Sequence, residues 1–226
     1  MSSSSSFVEG GSVGKYRLLK VLGNGQYGVV FSCLEPAGSE CAIKCLSRPG
    51  SAEEVRNEVR LLQDCRHPAV VRVVDCVDVD GLPCVVMELC PHGTLETIMR
   101  TQGGPRRGAA EADIRFIAAY LALALCRMRA LGVTHRDIKP ANVFIAEQSR
   151  NGIVSHVPKI GDFGFATRSA DRTFLGTPYY MAPEILGAVS CAPSADVWSF
   201  GCMLYELFYT YTPFHSAQTH IQLAEL

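Results

Sequence analysis

The sequence predicts an α+β fold in which a small antiparallel β lobe carrying one main helix precedes a larger, mainly helical lobe. Three observations predict it. Short β-favouring runs separated by Gly and Pro clusters fill the first third of the chain. Apolar spacing then changes to the helical period, and 226 residues exceed the usual span of one hydrophobic core, which makes two packed lobes natural.

The elements follow in order. Residues 1–14, rich in Ser and Gly, read as a disordered tail. A first lobe over 15–86 begins with an antiparallel meander from Lys15 to Leu34 and Glu40 to Leu46. Ser51 with Glu54 three residues on makes a capping box for a helix running to about Cys65. Strands near Val70–Val77 and Pro83–Glu88 complete the lobe. A connector occupies 87–92, and the second lobe occupies 93–226. There Ile114, Ile117, Ala118, Leu121, Leu125 and Met128 recur at helical spacing, with Gly132 as the stop. Two short strands, Asn142–Ala146 and Val157–Ile160, flank an Asn151-Gly152 turn. The helix SADVWSFGCMLYELFY is apolar around most of its circumference, which predicts a buried position.

Composition narrows the function. With 21 Lys and Arg against 22 Asp and Glu and a pI near 6.6, no global field draws the chain to nucleic acid or to a membrane surface. Any anionic ligand must be held by local groups. Ten cysteines are scattered through apolar segments with no CxxC pair, and read as buried, reduced thiols. The N-terminus lacks the basic and apolar regions of a signal peptide, and position 2 is not glycine. The longest apolar run, FIAAYLALALC from Phe116, is too short to span a bilayer. These features predict a cytoplasmic or nuclear protein.

Four motifs carry chemistry. In GNGQYGVV, glycines Gly23, Gly25 and Gly28 allow close approach of backbone amides to phosphate; a strand rather than a helix follows, which disfavours a dinucleotide fold. In CAIKC, alternation puts Ala42 and Lys44 on one strand face and Cys41, Ile43 and Cys45 on the other. A lone lysine there would ordinarily snorkel at an edge, but Glu58 shares a helix face with Val55 and Leu62 and offers it a partner. HRDIKPAN (135–142) and GDFG (161–164) place Asp137 and Asp162 just beyond predicted elements. A short polar run is usually a solvated loop. Yet phosphoryl transfer asks for a carboxylate to take a hydroxyl proton and for oxygen ligands to magnesium. Asp137 suits the first task, Asp162 and Asn142 the second, and Lys139 can offset charge on the transferred group.

With these residues in place, the sequence resembles a eukaryotic protein kinase of the serine/threonine type, over residues 16–226. The signature set runs in the family's order: GxGxxGxV (Gly23–Val30), AIK (Lys44), HRDxKxxN (His135–Asn142), DFG (Asp162–Gly164) and APE (Ala182–Glu184). HRDxxxxN alone would arise by chance in on the order of one chain in a thousand of this length. The resemblance implies a bilobal protein-kinase-like fold that binds ATP and Mg2+ and phosphorylates a protein substrate with a Ser or Thr acceptor. It implies that Lys44 pairs with Glu58 and contacts the α and β phosphates beneath the Gly23–Gly28 loop. Asp137 is then the catalytic base, Asp162 and Asn142 the metal ligands, and Lys139 the γ-phosphate contact. Adenine would lie among Leu22, Val30, Ala42 and Phe144, with Met87 as gatekeeper and Glu88 and Cys90 offering backbone contacts. Leu62, Val73, His135 and Phe163 match the residues that stack to link the lobes, anchored by Asp196.

KPxN after HRD and GTPxY before APE match the serine/threonine branch. Phe165 after DFG resembles the pattern linked with serine acceptors, and Thr94 and Ala141 stand where arginine-directed kinases often carry acids. Arg136 before Asp137 implies control by a phosphate on Thr173, placed by an upstream kinase or by autophosphorylation. DFGFA and the long Asn142–Asp162 segment resemble ULK-type kinases; FLGTPYYMAPE resembles NIMA-related (NEK) kinases. The family's C-terminal lobe normally continues beyond HIQLAEL. An unpartnered Glu184 and an exposed flank on the SADVWSFGCMLYELFY helix are therefore expected, and a catalytically impaired nucleotide-binding or scaffolding kinase-like protein is the alternative reading.

Overall fold

Six strands form one antiparallel sheet in the first part of the chain, in the order β1-β2-β3-β4-β6-β5. They are β1 (Ser12–Val13), β2 (Tyr16–Gly25), β3 (Gly28–Leu34), β4 (Glu40–Leu46), β5 (Val73–Val79) and β6 (Leu82–Glu88). The structure, a computed structural model, describes residues 7–25, 28–46, 52–102, 109–168, 175–187, 192–217 and 222–223. Two units emerge, one drawn from residues 1–63 and 71–90 and the other from 64–70 and 91–226.

Strand alternation sorts the first unit's side chains. Phe31, Cys33, Cys41, Ile43, Cys45, Cys84 and Val86 share one face and form a closed core with Val13, Tyr16 and Leu18. Each large apolar side chain buried there contributes about 1.5–3 kcal/mol. On the other face, Val85 packs with Val55 and Val59 of helix α1 (Ala52–Asp64). Alternation along β4 is as the sequence predicts: Cys41, Ile43 and Cys45 are buried in the core, and Ala42 and Lys44 face away from it.

The tail expectation needs correcting for residues 7–14. Val13 is 1% exposed, β1 pairs with β2, and Gly10 N–H donates to Leu18 O. One buried valine and a handful of main-chain bonds suffice to order a short Gly-rich segment against an existing sheet edge. Tyr16 adds to this corner, donating its hydroxyl to Asp75 Oδ2 at 2.7 Å, with Lys15 Nζ 3.1 Å from the same oxygen. Ser51, the expected cap of α1, lies outside the described residues.

The second unit begins with α2 (Leu95–Gln102) and α3 (Glu111–Ala130). In α3, Ile117, Leu121, Leu125 and Met128 of the predicted stripe are buried together with Ala124, and Ile114 and Ala118 are half-buried. Gly132 stops the helix with φ +67°, a left-handed conformation that glycine adopts without a Cβ penalty. Strands β7 (Val143–Arg150) and β8 (Ile153–Ile160) extend several residues beyond the expected pieces. Asn151 and Gly152 take φ of 52° and 77°, the two positive values a tight two-residue hairpin turn requires. That turn chemistry propagates the ladder outward past the apolar stretch.

Helix α4 (Pro183–Leu186) precedes α5 (Ser194–Tyr209). The expectation of an all-round buried α5 is half right. Ala195, Asp196, Ser199, Cys202, Met203 and Leu207 are buried, whereas Val197, Trp198 and Phe208 are 54%, 39% and 50% exposed. An apolar flank of α5 is thus open to solvent. Glu184 is half-buried and makes no ion pair among the described residues. Nine cysteines among the described residues are free thiols, and burial pushes Cys65 and Cys202 up to about 11, where they are poor nucleophiles.

Candidate active site

In the second unit, the chain that leaves α3 is held by one buried carboxylate. Asp196, 2% exposed, accepts the main-chain N–H of His135 at 2.7 Å and of Arg136 at 2.9 Å. Arg136 carries a φ of +70°, a costly conformation for a side chain other than glycine, and the two donated amides hold it there. Burial raises the Asp196 carboxyl above its ordinary range, against the opposing pull of His135 and Arg136. Antiparallel pairing of Thr134 with Thr167, at 2.9 Å in both directions, fixes the segment's other edge.

His135 is fully buried. Its Nε2 donates to Gly161 O at 3.1 Å, so Nδ1 is left to accept Asp137 N–H at 3.3 Å. The ring meets Phe163 edge-on, with centroids 4.8 Å apart. One imidazole therefore couples the HRD segment to the DFG segment. At the start of that segment Asp162 is left-handed (φ 58°, ψ 71°) and immediately precedes the single turn Phe163–Phe165. Strained non-glycine residues of this kind gather at functional sites.

Asp137, 4% exposed, is the centre of convergence. Asn142 Nδ2 donates to its main-chain oxygen and to Oδ2, both at 2.8 Å. Lys139 Nζ lies 2.8 Å from Oδ2, and Thr177 Oγ1 donates to Oδ1 at 2.8 Å. Lys139 Nζ also donates to Thr177 Oγ1 at 2.7 Å. The turn Pro140–Asn142 brings Asn142 back beneath Asp137. Gly176 has φ +120°, and a Cβ there would collide with Arg136 O, so glycine is needed for the segment carrying Thr177 to approach. Thr177 is the residue that sequence reasoning missed: GTPxY marked a branch of the family, without a hint that its hydroxyl touches Asp137. Arg136 Nε donates to Phe165 O. Thr173 lies outside the described residues.

In the first unit, the expected ion pair is formed. Lys44 Nζ is 3.0 and 2.9 Å from the two Glu58 oxygens, with side chains 13% and 4% exposed. Directly opposed residues of antiparallel strands share a face, and the register pairs Gly23 with Val30, Val30 with Lys44 and Ala42 with Met87. Gly23, Val30, Ala42, Lys44 and Met87 are therefore on one face. Gly25 pairs with Gly28 across the hairpin, and Leu22 sits on β2, 52% exposed. Met87 packs against the Val55, Val59 and Val85 cluster. Glu88 donates its N–H to Arg72 O at 2.9 Å, and Cys90 is half-buried. Leu62 is buried and Val73 half-buried in this unit. Phe144 belongs to the second unit, on β7 opposite Lys159.

A curled antiparallel sheet with one main helix, followed by a helical part with this polar cluster, is the architecture of a protein kinase domain. The family model for the protein kinase domain matches residues 16–226, and the chain belongs to that family. It is similar to the mouse serine/threonine-protein kinase Nek5, 35% identical over 211 residues, covering 91% of this chain and 32% of that protein. Mouse Nek2 is 34% identical over 218 residues, covering 88% and 47%, and human Nek2 is 33% identical over 216 residues, covering 88% and 47%. The chain is thus of the serine/threonine type and NEK-like, and spans a third to a half of the length of these relatives. No helix among the described residues is long and apolar enough to cross a membrane.

Proposed function

We propose that this chain is the catalytic domain of a protein serine/threonine kinase that transfers the γ-phosphate of Mg-ATP to a serine, or threonine, hydroxyl of a protein substrate. The carrying observation is the convergence of Lys139, Asn142 and Thr177 on the carboxylate of Asp137. In the reaction, the substrate hydroxyl oxygen forms a bond to the γ-phosphorus, the bond to the β–γ bridging oxygen breaks, and ADP leaves. The hydroxyl proton passes to Asp137. Lys139 offsets charge on the phosphoryl oxygens, and Thr177 holds both side chains in register.

The donor set suits magnesium. Asn142 gives both Nδ2 bonds to Asp137, which leaves Oδ1 as its ligand atom, and Asp162 adds a carboxylate; hard oxygen donors are what Mg2+ takes. When bound, the ion neutralises charge on the β and γ phosphates. Glu58 orients Lys44 towards the α and β phosphates. Val30, Ala42 and Leu22 supply apolar contact to the base. Glu88 and Cys90 offer main-chain contacts to adenine, with Met87 as gatekeeper. A phosphate on Thr173, placed by an upstream kinase or by autophosphorylation, would pair with Arg136. Thr173→Ala is expected to lower kcat well below the parent value; an unchanged rate in a purified assay would remove Thr173 from the regulatory scheme. The free thiols and balanced charge support a cytoplasmic or nuclear setting.

A Cβ on Gly23 would meet no atom of the described residues within 4 Å. The protein itself therefore does not require glycine at that position, and close approach by phosphates supplies the reason. Gly23→Ala is expected to leave the melting temperature almost unchanged while raising KM for ATP roughly tenfold. The function is tested with a serine and threonine peptide library, Mg-ATP and phosphoamino-acid analysis of the product. Phosphoserine in excess is the expected result. Saturable nucleotide binding with no peptide phosphorylation would favour a scaffold.

A further inference from the structure

We propose that His92, Glu147 and His156 form a binding site for one divalent transition-metal ion of the zinc class. Their ligand atoms all lie within 4.8 Å of one another. His92 Nε2 is 3.4 Å from Glu147 Oε2, and the two imidazoles stand edge-on with centroids 4.2 Å apart.

The site is assembled by main chain rather than by chance surface proximity. Glu147 and His156 are directly opposed across the β7–β8 ladder, so they share a face. His92 is brought in by its own N–H, which donates to Ile145 O at 3.4 Å, while Ile145 N–H donates to Gly93 O at 2.8 Å. Thr94 then bridges Phe144. Three ligands from three segments are thus laced to one hairpin.

Two imidazoles and a carboxylate are the donor set of three-ligand zinc sites, in which water takes the fourth position. The same set is a poor match for magnesium, which prefers oxygen. Tetrahedral ligands at zinc bond lengths sit about 3.3 Å apart, close to the His92–Glu147 separation. All three side chains are exposed, so the remaining ligand closes by rotamer adjustment of about an ångström. An ion pair accounts for only two of the three side chains. A bound cation satisfies all three. Metal there pins the residues just after Cys90 to β7–β8.

Zinc and cobalt titrations of the whole chain test the site. Cys76 and Cys126 are exposed and are competing ligands, so cobalt absorption is needed to identify the donors. The parent is expected to take up one equivalent with visible d–d bands and no near-ultraviolet thiolate charge-transfer band, and zinc should raise its melting temperature. His156→Ala and Glu147→Gln, both at exposed positions, are expected to melt like the metal-free parent but to bind at least tenfold more weakly. Losing even an outer-sphere partner of a metal costs 10–100-fold. Variants that bind as tightly as the parent, or a thiolate band accompanying the first equivalent, would overturn the assignment.

Discussion

Asp137→Asn is expected to lower kcat by about a thousandfold, within the range for loss of a general base, with KM for ATP changed by a few-fold at most. The amide keeps the shape of the carboxylate but cannot take the hydroxyl proton. Its environment makes the substitution informative in a second way. Thr177 donates to one oxygen, and Lys139 and Asn142 donate to the other. An NH2 group turned towards Lys139 and Asn142 faces two donors, and turned towards Thr177 it forces the hydroxyl to accept where it had donated, so some bonding is lost either way, at a cost of about 1–3 kcal/mol of stability. Steady-state kinetics beside urea denaturation separate the two effects. A variant that keeps the parental kcat would mean that the proton leaves by another route.

Asp196→Asn is expected to lose about 2–4 kcal/mol of folding stability and to lower kcat by roughly a hundredfold in the fraction that remains folded. The residue touches neither nucleotide nor acceptor. Its two oxygens accept successive amides, from His135 and Arg136, at a 2% exposed position. An asparagine can satisfy one and must oppose the other. With that amide unheld, the φ of +70° at Arg136 loses its support, and the carboxylate of the next residue moves. The readout that marks positioning is a fall in kcat with little change in KM for ATP, measured well below the variant's melting temperature. A destabilised variant with parental kcat would reduce Asp196 to a structural role.

How much of this was legible depended on the range of the forces concerned. The alternation in CAIKC, the stripe along α3, the Gly132 stop and the Asn151-Gly152 turn are local patterns, and each reappears where the sequence places it. The Lys44–Glu58 pair was legible because each residue is a charge on an otherwise apolar face and needs the other. Three features were not. Residues 7–14 look like a tail because one valine and a few main-chain bonds leave no periodic mark. The Asp80-Gly81 turn between β5 and β6, with φ of 53° and 81°, passed unnoticed although its dipeptide is a strong hairpin signal. Thr177 was out of reach for another reason. Its bond to Asp137 joins residues 40 apart, and a threonine among prolines and tyrosines carries no trace of its partner.

Helix α5 shows the limit of composition most clearly. Its sequence is apolar on nearly every side, yet burial is set by what packs against each flank, and Trp198 and Phe208 stay exposed. The polar exceptions on that helix were the better guide. Asp196 and Ser199 are buried because each has a main-chain partner, Ser199 Oγ donating to Tyr180 O at 2.7 Å. Tyr180 in turn donates to Glu206, whose carboxyl burial pushes up. Polar residues on an apolar helix thus mark the contacts that position the catalytic segments.

Asp137, Lys139, Asn142 and Thr177 are expected to work together as one phosphoryl-transfer group. Rapid-quench single-turnover measurement, with enzyme in excess over γ-labelled ATP, Mg2+ present and a serine acceptor peptide, tests it most directly. The predicted result is label in peptide phosphoserine, equal in amount to the ADP formed, and lost in Asp137→Asn although nucleotide still binds. Bound ATP that remains intact in the parent chain, or label transferred equally well by Asp137→Asn, would contradict it.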